Sequence, residues 1–313
     1  MKAFILFVCA LSVHCLGLAS DNGLPFDRTP YAGRAVLPDM TAAPCPDTPR
    51  SLEQVRGNLY RHTTGKGLAV HSGFVLMTRD GAIIIDPAMT CTAGWLRDEI
   101  ARRFQQKVRY VIYTHAHADH ISGGQVFQQD GALVVANRRA VEPIIGERIP
   151  TALPDRVFDT DMKIELGGET VLLHRVAPSH SDSMVMVSFP KYRALQCTDV
   201  CESKSMPYND FLDFYYDGWV DTLDWVLRQP VDIIDVGHYA PATLADEAAL
   251  RDYLVDLHQQ VLDLTRQGNS WDELYRKVQF SATVKSWTAF DTMHTLNVLG
   301  MFRWVSNHRR GEW

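Results

Sequence analysis

Residues 113–124 read YTHAHADHISGG and crowd four metal-capable side chains into six positions. These side chains are His115, His117, Asp119 and His120. The apolar run VRYVIYT at 108–114 precedes them and predicts a buried strand that ends where the cluster begins. The Gly-Gly pair that closes the stretch predicts a tight turn into a helix, because glycine tolerates backbone conformations that other residues avoid. The stretch therefore predicts a metal site at the end of a strand.

The spacing within this cluster indicates how it would hold metal. His115 and His117 point the same way in an extended segment, because side chains alternate along a strand. Asp119 and His120 follow the turn and can face a second cation a few ångströms away. Nitrogen and oxygen ligands suit Zn²⁺, and two metal ions about 3.5–4 Å apart can share one hydroxide. We therefore expect two zinc ions.

Four further polar residues stand at the ends of apolar strands or in the turns between them. His180 lies in the turn APSHSDSM, and Asp199 follows the strand YRALQCT. His238 ends the strand VDIIDVGH, and Asp86 ends the strand AIIIDP. Active sites of layered sheet proteins collect at strand ends. These residues are therefore candidates to complete or support the metal site.

The ordered set of motifs resembles the metallo-β-lactamase superfamily from about residue 57 to residue 241. The shared pieces are H-x-H-x-D-H followed by Gly-Gly, a histidine in a turn, a strand-end aspartate and a final Gly-His. The resemblance implies an α+β fold, the four-layer αββα sandwich, with two sheets inside, helices outside and the site at one edge. The alternating strands and helices of the sequence, with hairpin stretches among them, agree with such a layered fold.

The resemblance also implies two zinc ions per chain and a ligand set for each. The first ligand set would be His115, His117 and His180. The second ligand set would be Asp119, His120 and His238. Asp86 would orient the loop that carries the ligands.

One ligand position has two candidates. In many family members a strand-end aspartate bridges the two metals, which favours Asp199. In one β-lactamase subclass a cysteine ligand takes that place, and a lysine three residues later binds the substrate carboxylate. This sequence contains the same pattern, because Lys204 follows Cys201 by three residues. We favour Asp199 as the bridging ligand, keep Cys201 as the alternative, and expect substrate contacts at Lys204, His71 and Tyr239.

The function implied is that of a dinuclear zinc-dependent hydrolase. A metal-bridging hydroxide would attack a small cyclic amide or ester, such as a β-lactam or a lactone. Asp119 would be the catalytic residue that orients the attacking water and carries its proton. One alternative is hydrolysis of sulfate or phosphate esters or of another exported metabolite. An alternative of another class is an exported metal-binding accessory protein without catalysis.

Composition and charge limit the partners. The chain has 313 residues, of which 46% are hydrophobic and 22% charged, and its net charge is −6. No basic block stands out, so a small-molecule substrate is expected and nucleic acid is not. Cys197 and Cys201 would lie roughly 13 Å apart in one extended strand, so a disulfide between them requires a turn. Cys45 and Cys91 lie in loop-like sequence and could pair.

The domain organisation is predicted from both ends of the chain. Lys2 and the apolar run after it predict a signal peptide at 1–20, and therefore a periplasmic or secreted protein with no stable membrane insertion after cleavage. Residues 21–50 carry six prolines and predict an extended arm. The core is predicted at 51–242. Residues 243–313 predict a C-terminal helical segment that packs on the core and offers a lid or a homodimer interface.

Overall fold

The structure, a computed structural model, describes residues 20–31, 33–36 and 48–308. Apart from Ser20, the predicted signal peptide lies outside the described residues, so it stays a prediction. Of the proline-rich arm, residues 37–47 also lie outside them. In the described part of the arm, Leu24 and Pro25 form an edge strand that pairs with Val157 and Arg156. The domain boundaries themselves remain predictions.

Strands make up two sheets. The described strands are β1 (Ser20–Asp21), β2 (Leu24–Pro25), β3 (Arg50–Arg56), β4 (Leu59–Thr64), β5 (His71–Thr78), β6 (Gly81–Ile85), β7 (Val108–Ile112), β8 (Leu133–Asn137), β9 (Arg156–Phe158), β10 (Asp161–Leu166), β11 (Glu169–Arg175), β12 (Val185–Phe189), β13 (Ala194–Gln196) and β14 (Ile233–Asp235). One sheet has the order β2-β9-β8-β7-β6-β5-β4-β3, and the other β1-β10-β11-β12-β13-β14.

Helices cover the outer faces of both sheets. The described α-helices are α1 (Thr90–Phe104), α2 (Ala118–Ile121), α3 (Gly124–Gln129), α4 (Val141–Gly146), α5 (Tyr216–Leu227), α6 (Leu244–Arg266), α7 (Trp271–Lys277), α8 (Ala282–Lys285) and α9 (Phe290–Asn307). Short 3-10 helices occupy Thr29–Tyr31, Gly67–Ala69, Arg138–Ala140 and Pro190–Tyr192. None of the helices in the described part of the chain is long and apolar enough to cross a membrane.

Three apolar clusters separate four layers. One cluster lies between the sheets, where Phe74 packs edge-on against Phe189 at 5.4 Å between ring centroids. A second joins the eight-stranded sheet to the helices around α1, including Leu96 and Ile100. The third joins the six-stranded sheet to the C-terminal helices. The predicted αββα sandwich of class α+β, with added C-terminal helices, is therefore confirmed.

Parallel pairing places the ends of key strands together. β6 and β7 pair in parallel in one sheet, and β13 and β14 do so in the other. The carboxyl ends of parallel neighbours lie at the same edge of a sheet. Residues that follow these four strands are therefore brought to one edge of the sandwich.

The long helix α6 begins at a capping box. The Thr243 side chain accepts a hydrogen bond from the Asp246 N–H, and the Asp246 carboxylate accepts one from the Thr243 N–H. This reciprocal pair satisfies backbone donors that the first turn leaves free. Leu250, Leu254 and Leu257 then recur at helical spacing and are buried in the cluster that also holds the last helix.

The last helix, α9, holds a loop at residues 206–215 that we call the wall loop. Asn297 donates from Nδ2 to the carbonyls of Pro207 at 2.9 Å and Asn209 at 2.7 Å. Arg303 forms an ion pair with Asp210 at 2.7 Å. The C-terminal segment therefore fixes a loop that belongs to the core. The predicted homodimer interface on these helices stays a prediction.

The cysteines of the six-stranded sheet form a disulfide across a turn. β13 ends at Gln196, and Cys197 and Cys201 are bonded with their Cα atoms 5.5 Å apart. The turn that the sequence required is therefore present. Cys91 is also disulfide-bonded, whereas Cys45, its expected partner, lies outside the described residues.

Candidate metal centre

The cluster that opens the sequence lies directly beyond strand β7. His115 follows the end of the strand, and Asp119 and His120 lie on the short helix α2. His180 lies in the loop between β11 and β12. Asp199 and His238 follow the parallel strands β13 and β14. Ligand candidates from both sheets thus meet at one edge.

Asp199 lies at the centre of four imidazoles. Its Oδ2 lies 3.0 Å from His120 Nε2 and 3.3 Å from the Nε2 atoms of His115 and His180. Its Oδ1 lies 3.0 Å from His238 Nε2. Burial alone would raise the pKa of this carboxyl, but His120 and His238 outweigh it and hold the pKa well below its usual range. A buried carboxylate with imidazoles at both oxygens is suited to the bridging position.

Several buried polar atoms in this cluster have no hydrogen-bond partner. They are Nε2 of His115, both ring nitrogens of His120, and Oδ1 of Asp199. Most buried polar atoms in proteins do have a partner. Unpartnered nitrogen and oxygen atoms that converge on one space are the arrangement that a cation satisfies, so the residues present fit a metal centre.

Two hydrogen bonds set the ring tautomers that metal binding needs. Thr114 donates its hydroxyl proton to Asp86 at 2.7 Å, which leaves Oγ1 to accept from His115 Nδ1 at 3.0 Å. His238 Nδ1 donates to the Val70 carbonyl at 2.5 Å. Both bonds place the proton on Nδ1. The Nε2 lone pairs of both rings then face Asp199, free for a metal.

Asp86 joins the two strand ends that carry ligands. It accepts from the N–H of Thr114 at 2.9 Å and from Oγ1 of Thr198 at 2.9 Å. Thr114 immediately precedes His115, and Thr198 immediately precedes Asp199. Burial raises the pKa of Asp86 to about 6. This geometry suits the predicted orienting role.

Ligand atoms of all seven predicted metal residues lie in compact groups. Within each group the candidate ligand atoms lie within 4.8 Å of one another. The groups are His115, His117, His180 and Asp199; His120, Asp199 and His238; and His71, Asp119 and His238. The first group contains the first ligand set, and the other two together contain the second ligand set.

Asp119 faces both the cluster and solvent. Its side chain is 43% exposed, and Oδ2 lies 3.4 Å from His120 Nε2 and 3.9 Å from His238 Nε2. The same oxygen lies 3.1 Å from His71 Nε2. Burial disfavours its charge, but His120 and the hydrogen bond from His71 outweigh burial and lower the pKa of Asp119. The carboxylate is therefore charged and reaches the open side of the site.

A cavity of about 480 Å³ opens onto the cluster. His71 and Tyr239, both predicted as substrate contacts, line it. His71 was predicted only as a substrate contact, whereas its contact with Asp119 also makes it a candidate metal or proton partner. Lys204 is not among the lining residues, and its Nζ instead lies 3.8 Å from Asp246. The structure therefore does not bring Lys204 to the site.

The cysteine alternative for the bridging position is also not supported. Cys201 is bonded to Cys197, and a sulfur in a disulfide offers no thiolate to a metal. The structure places Asp199 among the histidines instead.

Sequence reasoning missed two acidic residues of the cavity. Asp213, in the wall loop, lies 2.7 Å from His117 Nε2, while His117 Nδ1 lies 2.9 Å from His180 Nε2. Glu202 lines the cavity, accepts a hydrogen bond from Ser205, and has its pKa raised by burial to about 8. A lone aspartate among the aromatics of FLDFYY was the available signal for Asp213, but nothing local connects it to a histidine 96 residues away.

The Gly-Gly pair has a different role from the one predicted. Neither Gly123 nor Gly124 has a positive φ. A Cβ on Gly124 would lie 1.7 Å from the Tyr113 hydroxyl, and one on Gly123 would lie 2.5 Å from Ala93 Cβ. Close packing behind the ligand loop, rather than backbone freedom, therefore requires these glycines.

The αββα sandwich and the histidine–aspartate cluster at its edge define a metal-dependent hydrolase. The chain belongs to the metallo-beta-lactamase superfamily, whose family model matches residues 65–238. It is 25% identical over 198 residues to the metallo-beta-lactamase type 2 of Bacillus sp. (strain 170), covering 60% of this chain and 76% of that protein. A 202-residue match to the metallo-beta-lactamase type 2 of Bacillus cereus is 24% identical and covers the same shares.

Solved structures show the same fold. A metallo-beta-lactamase from Pontibacter korlensis superposes with a TM-score of 0.59 at 19% identity, covering 66% of this chain and 99% of that one. A double mutant of the sec-alkyl sulfatase PisA1 superposes with a TM-score of 0.70 at 15% identity, covering 84% of this chain and 51% of that one. The 84% of this chain that superposes on the alkyl sulfatase is more than residues 51–242 alone, so the likeness extends beyond the predicted core.

Proposed function

We propose that this protein is a dinuclear zinc hydrolase of small esters or amides, cyclic ones included. The observation that carries the proposal is the position of Asp199, whose two carboxylate oxygens face different histidines at 3.0–3.3 Å. A carboxylate held in this way can serve two cations at once. The first ligand set would hold one zinc ion, and the second ligand set would hold the other. Asp199 would bind both ions.

Zinc would supply Lewis acidity, which makes a bound water acidic near neutral pH and polarises a substrate oxygen. The chain's own residues would do the rest. Asp119 can accept a proton from the attacking water, because its charged Oδ2 faces the cavity. His71, 3.1 Å from that oxygen, can hold the carboxylate in place and pass the proton on. The water oxygen bonds to the acyl carbon, and the bond between that carbon and the leaving group breaks. The leaving group departs with a proton.

The second candidate is hydrolysis of sulfate esters. The observation that favours it is the superposition on the alkyl sulfatase, which covers more of this chain than the superposition on the Pontibacter metallo-beta-lactamase. That likeness concerns the fold, so we place this candidate second.

One panel of assays tests the proposal. Purified protein, with zinc and with a chelator, would be given a lactone, a p-nitrophenyl carboxylic ester, nitrocefin and an aryl sulfate. We expect zinc-dependent turnover of the ester or the lactone. Turnover of the aryl sulfate alone would favour the second candidate. Absence of turnover on the whole panel by zinc-loaded protein would favour a metal-binding accessory protein.

The proposal includes export, a small-molecule substrate and no nucleic-acid partner. The apolar run after Lys2 supports export, and the net charge of −6 supports a partner other than nucleic acid. The mass of the mature protein recovered from the native cell, with its compartment, tests export.

A further inference from the structure

The charges of the cavity limit what it can bind. Among the described residues, no lysine or arginine side chain lines this cavity, whereas four carboxyl groups do. They are Asp119, Asp199, Glu202 and Asp213. The three aspartates would offset three of the four positive charges that two divalent cations would bring. The loaded site would therefore carry little net positive charge with which to attract an anion.

Cationic side chains near the cavity are engaged elsewhere. Arg61 forms an ion pair with Asp235 at 3.1 Å and donates to the backbone carbonyl of Tyr239. Lys204 lies near Asp246, outside the cavity. Neither side chain lines the cavity.

Arg303 is the third cation of this region. It pairs with Asp210 at 2.7 Å, and it lines a neighbouring cavity of about 510 Å³ that shares His117 and residues 211–214 with this one. Arg303 does not line the cavity that opens onto the metal cluster, and the Asp210 carboxylate offsets its charge.

The wall loop presents large apolar side chains at the open side of the cavity. Tyr208 is 69% exposed and Leu212 is 72% exposed, although both are large hydrophobic side chains. Both line the cavity, as do Met206 and Phe211. Exposed apolar side chains around a cavity mark a surface that a ligand covers. The wall loop that carries them is fixed by α9, so this apolar side is preformed.

We propose that the site selects an uncharged ester or lactone with an apolar acyl group, and discriminates against substrates that carry a carboxylate or sulfate. This inference rests on the proposed function, because it names the substrate class of the same site. It separates neutral esters from alkyl sulfates and from β-lactams that carry a carboxylate, which are anions near neutral pH.

A matched pair of esters tests it. Methyl p-nitrophenyl adipate is neutral, and mono-p-nitrophenyl adipate differs only in carrying a free carboxylate. We expect the kcat/KM of the zinc-loaded protein, divided by each ester's rate with hydroxide, to be about tenfold or more higher for the neutral ester.

Two lysine variants sharpen the test. Leu212→Lys places a cation at the cavity, and we expect it to shift the neutral-to-anionic ratio about tenfold or more towards the anionic ester. Leu172→Lys is the matched control, because Leu172 is 39% exposed on strand β11 and lines none of the cavities described here. It should leave the ratio unchanged.

The outcomes separate the two proposals. An anionic ester that reacts or binds as well as the neutral one overturns the inference, as does a ratio that Leu212→Lys fails to move. If zinc-loaded protein hydrolyses neither ester, the proposed function fails for this class, and calorimetry of both esters with that zinc-loaded protein still decides the charge preference.

Discussion

Asp213 and His117, 96 residues apart in the chain, approach to 2.7 Å between a carboxylate oxygen and Nε2. The carboxylate holds the proton on Nε2, so Nδ1 faces His180 and the centre of the cluster. Carboxylates that receive the second N–H of a ligand histidine fix its orientation and raise its basicity. The wall loop therefore contributes to metal binding as well as to the cavity.

Asp213→Asn should weaken the binding of zinc at the first ligand set. We expect the affinity to fall about 10–100-fold, as is typical when such a partner is lost. Competition with a chromophoric chelator measures it. Asp182→Asn is the matched control, because Asp182 is also partly exposed, lines only the neighbouring cavity, and touches no ligand candidate. Equal zinc affinity in the two variants would show that Asp213 does not contribute to zinc binding.

Gly300→Ala should destabilise the protein, against the usual preference for alanine in helices. A Cβ at Gly300 would lie 2.2 Å from the Asp210 carbonyl oxygen, so α9 and the wall loop must move apart. We expect a loss of about 1–3 kcal/mol in the free energy of unfolding and reduced turnover. Gly94→Ala in α1 is the control, because its Cβ would meet nothing within 4 Å. That variant should gain about 0.5–1 kcal/mol, and urea unfolding measures both. A gain in stability at Gly300 would show that α9 does not fix the loop.

Glu247 should make stability depend on pH. It is fully buried, one of its oxygens has no partner, and burial raises its pKa well above 4.5. A raised pKa means that the folded state holds the proton longer than the unfolded state, so this stability is present below pH 4.5 and is lost as pH rises through the folded pKa.

Metal-free Glu247→Gln should therefore lose less thermal stability than metal-free wild type between about pH 5 and pH 8.5. Melting curves across that range measure it. Glu142→Gln, at an exposed position on α4, controls for loss of a carboxylate. Parallel curves for wild type and Glu247→Gln would contradict the assignment.

Asp119→Asn should reduce turnover far more than zinc content. Asparagine keeps the size of the side chain and one oxygen, but it cannot accept the proton of the attacking water. We expect kcat to fall about 10²–10⁴-fold, with elemental analysis reporting the zinc. Unchanged turnover would exclude Asp119 from the proton path.

Much of the site could be predicted because its residues fall at the ends of apolar strands. The spacing of His115, His117, Asp119 and His120 is local, and the sandwich brings His180, Asp199 and His238 to it. The substrate contact at Lys204 was predicted from a sequence motif, and a motif alone does not fix the direction of a side chain. The Cys197–Cys201 bond turns the chain just after β13, and Lys204 points to Asp246.

Other features depend on contacts that no short stretch encodes. Asp213 reaches His117 from the wall loop, which α9 holds in place. The close packing at Gly124 depends on the position of the Tyr113 hydroxyl. Such contacts follow from the assembled layers, so periodicity and motif order do not reveal them.

The number of zinc ions bound per chain tests the central claim most directly. Native mass spectrometry of purified protein, reconstituted with zinc and freed of excess, would count them. We expect two zinc ions per chain in wild type and fewer in Asp199→Ala, because Asp199 would bind both. A wild-type chain that binds one zinc ion or none would contradict it.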